Sequence, residues 1–176
     1  MKLINKLAAS KNFRKTVFVL GILYIFLTFF IFVEPGPFLR LGNFGVFLFN
    51  LIGGPGMLLI PIVSRYFGAF PVALVSSLGM AINDLLSWWV GKYAHSMIPI
   101  QTDSKKTKDT IEFLHKYGVY GLFFLALLPT PYDFIGLIAG YLKFEYKNFF
   151  LATFIGRLIR FWLIGLGVIG IFGRVL

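Results

Sequence analysis

Long apolar runs separated by short basic stretches organise this chain. Apolar residues dominate Thr16 to Val33, Phe44 to Val63, Pro71 to Val90, Val119 to Leu142, and Phe149 to about Phe172. An α-helix needs roughly 20 such residues to cross a hydrocarbon layer. Two of the runs are broken. Phe44–Val63 is split by GGPG at Gly53, Gly54, Pro55 and Gly56, and Val119–Leu142 by the PTP of Pro129 to Pro131. A break frees backbone groups that lipid cannot satisfy, so it survives only where protein or a water-filled cavity surrounds it. Both broken runs are therefore expected to be re-entrant hairpins. Between the third and fourth runs lies TDSKKTKDTIEFLHKYG, where Ile111, Leu114 and Tyr117 share a helix face and Gly118 is placed to end the helix. This segment is expected to lie on the cytoplasmic surface.

Composition sharpens the class. Apolar residues make up 58% of the chain and charged ones 14%, with 22 phenylalanines and a mean hydropathy of +0.83. A soluble domain of 176 residues could not hide that much apolar surface in one core. The expected fold is an all-α integral membrane protein. Residues 1–15 form a basic interfacial segment, Thr16–Val33 a signal anchor rather than a cleaved signal peptide, and 16–176 one membrane domain.

The net charge of +10 would suggest nucleic acid in a soluble protein. Here the basic residues flank apolar runs, which points to orientation signals and anionic lipid headgroups instead. Placing Lys2, Lys6, Lys11, Arg14 and Lys15 inside, together with Lys92, Lys105, Lys106, Lys108, Lys116, Lys143 and Lys147, requires both broken runs to turn back. The N-terminus is then cytoplasmic and the C-terminus outside, in a multi-pass protein of the plasma membrane. The two halves match with opposite orientation: interrupted hairpin, then intact helix. Sliding the sequence by 77 positions sets Phe67 on Phe144, Leu74 on Leu151, Ser76 on Thr153 and Gly79 on Gly156. Inverted repeats with broken helices in corresponding places point to a transporter-type site near the midplane.

Ionisable residues inside such runs are costly and need partners or a wet cavity. Asp84 and Arg160 fall roughly 20 Å and 17 Å into their helices at 1.5 Å per residue. Arg157 is one turn from Arg160, Asn83 precedes Asp84, and Asp133 sits at the PTP break. Two acids and two bases can nearly neutralise one another. One reading is a set of structural ion pairs locking the helices together. The other is a site, in which arginine forks suit phosphate and carboxylates in a low dielectric carry protons. Arg157 alone could instead snorkel toward the interface. GLIAG, Gly136 to Gly140, permits close helix approach within the chain or between protomers.

Three stretches resemble the DedA or VTT-domain (SNARE-associated) membrane proteins: SSLGMAINDLLSWWVGKYA, HKYGVYGLFFLALLPTPYDFIGLIAG and KNFFLATFIGRLIRFWLIG. The resemblance covers roughly Phe44 to Gly170. It implies movement of lipids or lipid-linked phosphates between leaflets, with proton coupling in some members. Where the bacterial pattern carries arginines flanking the hairpin proline, this chain has Ala126 and Tyr132. Arg157 and Arg160 would then have to handle phosphate here, or the substrate differs.

Three functions remain in view: lipid translocation, proton-coupled carriage of a small solute with Asp133 as the proton-binding group, and a non-transporting scaffold. An enzyme is not expected. The chain has no cysteine and no G-x-S-x-G elbow, and His95 and His115 are isolated, so neither a nucleophile nor a metal or other cofactor is anticipated.

Overall fold

A computed structural model of the chain describes residues 40–52, 56–94, 105–130 and 132–173, together with Phe26. The expected anchor at Thr16–Val33, apart from Phe26, and the basic segment before it lie outside the described residues, as do Gly53, Gly54, Pro55 and Pro131. The six described helices all belong to one compact unit, residues 39–176. They are α1 (Gly42–Leu51), α2 (Gly56–Phe67), α3 (Ala69–Ala94), α4 (Lys105–Leu127), α5 (Tyr132–Tyr141) and α6 (Tyr146–Phe172). No strand occurs among the described residues.

Among the described residues, two helices are long and apolar enough to cross a membrane: Ala69–Tyr93 in α3 and Tyr146–Phe172, which is α6. At 1.5 Å per residue they reach about 37 Å and 40 Å, beyond the ~30 Å hydrocarbon core. Their polarity pattern departs from that of a soluble helix, with Val72, Trp88, Phe149 and Phe161 the large apolar residues that are buried as well. The buried side of α3 carries Ala69, Ala73, Ser76, Ser77, Ala81 and Asp84, while Leu74, Leu78, Ile82 and Leu86 face outward at four-residue spacing. In α6, Ala152, Thr153 and Arg157 are buried, and Leu151, Ile155, Leu163 and Leu166 are exposed. Small and polar residues inside with leucine outside is the pattern expected where the surrounding medium is lipid.

The remaining helices dress this pair. α1 packs on α3 and α2 on α6, whereas α4 packs on α6 and α5 on α3. Single residues mark the turns. Gly68, at φ 86°, separates α2 from α3. Gly118, at φ 55° and ψ −130°, breaks α4 where the amphipathic segment gives way to the apolar one. Of the face expected there, Leu114 is fully buried, Ile111 packs against the core and Tyr117 is exposed.

Glycine allows these helices to meet backbone to backbone. A Cβ on Gly79 would lie 2.6 Å from the Phe47 carbonyl oxygen of α1 and 3.1 Å from Leu51 N. One on Gly156 would lie 2.7 Å from the Phe123 carbonyl oxygen of α4 and 3.3 Å from Leu127 N. Gly136 and Gly140 seat α5 against α3, where a Cβ would meet Ser87 and the Trp88 carbonyl oxygen, so GLIAG is used within the chain. At the far end of α6 the Arg65 guanidinium of α2 donates to the carbonyls of Phe172 and Gly173 at 3.3 and 3.1 Å, covering acceptors that the helix end leaves open.

These contacts yield a stability prediction. Gly140→Ala should destabilise the fold by about 1–3 kcal/mol, because the new methyl meets backbone that cannot rotate away. Gly170→Ala, where nothing lies within 4 Å, should be neutral or stabilising by up to about 1 kcal/mol. Thermal unfolding in detergent, followed by helix circular dichroism, compares the two. Equal midpoints would refute the close approach of α5 to α3.

Candidate functional site

Asp84 and Arg157 come from the two long helices and meet in the interior. Asp84 is 1% exposed and Arg157 6%. Arg157 Nη2 lies 2.8 Å from Asp84 Oδ2 and donates to Oδ1 at 3.1 Å. One nitrogen therefore serves both oxygens, unlike the paired fork that uses two. Oδ2 receives no well-directed hydrogen bond, and Arg157 Nε has no partner among the described residues. The guanidinium carbon sits 5.0 Å from the centroid of the Tyr132 ring, a cation–π contact from the first turn of α5.

Tyr132 is itself held from two sides. Its hydroxyl donates to the Leu122 carbonyl at 3.1 Å and lies 2.9 Å from Thr153 Oγ1, which in turn donates to the Phe149 carbonyl at 2.7 Å. Two hydroxyl protons thus serve three contacts, joining α4, α5 and α6 at one point. The ring stacks against Phe149 at a centroid distance of 6.0 Å.

The proline break shapes the neighbouring pocket of charge. Pro129 has no N–H to return to the Leu125 carbonyl one turn back. The Thr130 hydroxyl takes its place and donates to Leu125 O at 2.8 Å. Leu128 O, past the end of α4, accepts from Thr130 N at 2.8 Å and from Arg160 Nη1. Arg160 is thus tied to a carbonyl that the break releases. Its Nε is buried with no partner among the described residues, and its guanidinium carbon lies 4.8 Å from the Phe161 ring centroid.

The other residues expected at the site are placed as follows. Asp133 is exposed in the first turn of α5, where the helix dipole favours a carboxylate. It accepts a 3.3 Å hydrogen bond from Ser87 Oγ and pairs with neither arginine. The start of α5 directs Asp133 toward Ser87 on α3, while Asp84 meets Arg157. Asn83 is half-buried, and its place beside Asp84 turns it about 100° around the helix. Of the residues at the breaks, Gly56 opens α2 and Pro129 is exposed after α4. Ala126 is fully buried against Gly156. His115 is exposed, and no metal-binding cluster occurs among the described residues.

Tyr132, Thr153, Ser87 and Thr130 were not singled out from the sequence. Thr153 had one signal, its alignment with Ser76, and Ser76 does accept from buried Asn50 Nδ2 at 3.3 Å. Tyr132 had none beyond the arginine that the family resemblance leads one to expect there.

Comparison with known proteins places this site within a described domain. The VTT domain family matches residues 54–169, which include α3, α4, α5 and all but the last turn of α6. The chain belongs to the VTT-domain family, and it is a DedA-like membrane protein. An uncharacterized protein of Methanocaldococcus jannaschii is 24% identical over 143 residues, covering 69% of this chain and 89% of that protein. An uncharacterized protein of Haemophilus influenzae is 24% identical over 115 residues, covering 62% of this chain and 60% of that protein. No solved structure matches.

Removing one partner of a buried pair leaves an uncompensated charge, which costs about 3–5 kcal/mol. Asp84→Asn in this VTT domain should show a loss of that order in detergent unfolding. Asp84→Leu combined with Arg157→Leu should recover most of it. If the losses of Asp84→Leu and Arg157→Leu measured singly simply add in the double variant, Asp84 and Arg157 are not coupled.

Proposed function

We propose that this VTT-domain protein translocates lipids or lipid-linked phosphates between membrane leaflets. The observation that carries the reading is the surplus of positive charge beside the proline break. One carboxylate faces two guanidiniums: Asp84 pairs with Arg157 and reaches Arg160 at longer range, while the direct contacts of Arg160 are a neutral carbonyl and an aromatic ring. A guanidinium with unspent donors in a low-dielectric setting is suited to a phosphate headgroup, while the acyl tails remain in lipid.

In this reading the domain is an inverted repeat. α1–α2 and the last part of α4 with α5 are hairpins entering from opposite sides, and α3 and α6 are the equivalent crossings. Support comes from the packing: each hairpin lays its first arm on the long helix of its own half and its second arm on that of the other. The glycines that receive the first arms, Gly79 and Gly156, are the pair aligned by the 77-residue shift. The N-terminus then faces the cytoplasm of a plasma-membrane protein and the C-terminus the outside.

Single cysteines test the topology directly, since the chain has none of its own. Labels introduced in the N-terminal tail and in the loop before Lys105 should react from the same face. Reaction from opposite faces rejects the hairpins.

Activity is tested with purified protein in vesicles containing a fluorescent phospholipid, by following the label that becomes accessible from outside. The protein should accelerate exchange, and Arg160→Gln should slow it roughly tenfold, as expected for losing one hydrogen-bonded charge. No acceleration over empty vesicles with anionic and zwitterionic headgroups rejects translocation. A second reading, proton-coupled solute carriage, draws on exposed Asp133 at the break with its single Ser87 hydrogen bond. It predicts uptake driven by a pH gradient and abolished by Asp133→Asn. Absence of both activities favours the scaffold.

A further inference from the structure

Away from the ion pair, an open apolar groove of about 410 Å³ runs between the end of α3 and the start of α6, lined by Leu85, Leu86, Trp88, Trp89 and Tyr146. Its walls are aromatic and fixed. The Trp88 indole donates to the Phe144 carbonyl at 3.1 Å, its ring lies 6.4 Å from Tyr146, and Trp89 makes an edge contact with Tyr93 at 4.5 Å. Tryptophan and tyrosine gathered at one end of membrane-crossing helices mark the level of the lipid headgroups.

Basic side chains crowd the same end. Lys92 Nζ stands 5.0 Å from the centroid of the Trp88 ring, at the groove wall. Lys147 follows Tyr146, and Lys143 precedes the Phe144 whose carbonyl holds Trp88. None of the three forms an ion pair among the described residues. Glu145 is the acid in this turn, and Asn148 Nδ2 donates to its carboxylate at 3.2 Å.

Lys143 adds an independent observation. It has φ 59°, and the bonds Lys143 N to Gly140 O and Phe144 N to Ala139 O, both 3.0 Å, form the left-handed helix ending that favours glycine. A lysine there holds a strained backbone conformation.

We infer that this groove is a binding site for one anionic phospholipid, with an acyl chain along Leu85, Leu86 and Trp89 and the headgroup phosphate among Lys92, Lys143 and Lys147. Charge complementarity selects the occupant: a zwitterionic lipid would fill the apolar groove equally well but brings no net charge to the lysines. The site is separate from Arg157 and Arg160 and does not depend on translocation.

Tryptophan quenching by lipids with brominated acyl chains tests it on the full-length protein in vesicles. In a Trp162→Phe background, Trp88 and Trp89 are the reporters. Brominated phosphatidylglycerol should quench at a mole fraction roughly tenfold below that of brominated phosphatidylcholine, from an attraction of roughly fivefold per lysine partly offset by Glu145. Lys92→Gln, Lys143→Gln and Lys147→Gln together should bring the two lipids within twofold. Lys105→Gln, Lys108→Gln and Lys116→Gln together should leave the preference intact. Equal quenching in the parent protein overturns the inference, as does a preference that survives loss of the first three lysines. An equal loss with the second three also overturns it, because it reports general surface charge.

Discussion

A charge carried into a low-dielectric interior must find its opposite there, and in this protein that opposite lies 73 residues away. The Asp84–Arg157 pair thereby obliges α3 and α6 to present the same depth to one another. Much of the surrounding packing follows from that demand. Small residues allow the approach where the two helices touch, as Gly165 of α6 does against Ala69 of α3. Tyr132 closes the third side with its ring, and its hydroxyl is tied to Leu122 and Thr153, so the guanidinium rests on a surface that α4, α5 and α6 hold jointly. The pair is therefore a registration device as well as an electrostatic one, whatever chemistry passes beside it.

The proline break brings the second arginine into the same account. A helix that stops inside an apolar layer leaves carbonyls unpaired, and every one of them costs free energy unless a donor arrives. Thr130 supplies one donor locally and Arg160 supplies another from α6. The outcome differs at the two arginines. Arg157 pairs directly with Asp84, whereas Arg160 compensates a backbone dipole and feels the Asp84 charge without contacting it. An anion arriving at the break would compete with a single neutral acceptor.

The basic, aromatic end of α3 and α6 shows the same economy at the membrane surface. Trp88 is buried through its indole bond to Phe144, yet its ring still forms the wall of a groove beside Lys92. Residues that anchor the fold at the interface also shape what a lipid would meet there.

Much of this could be read from the residues alone, because helices in lipid must satisfy their backbone locally. The apolar runs, their interruption near Gly53 and Pro129, the bend at Gly118 and the costly charges at Asp84, Arg157 and Arg160 are each visible in a short window of sequence. The 77-residue shift set Gly79 beside Gly156, which lie against α1 and α4 respectively. Partnership was not visible. Two acids and two bases within reach of one another allow several pairings of similar charge. Helix direction and rotation chose Asp84 for Arg157, Ser87 for Asp133 and a carbonyl for Arg160. Tyr132 and Thr153 entered the site because distant segments packed there, an outcome no local pattern encodes. The sequence by itself determined which segments could lie in lipid and where they must break; the tertiary structure alone decided which polar groups met, since that depends on distances between helices far apart in the chain.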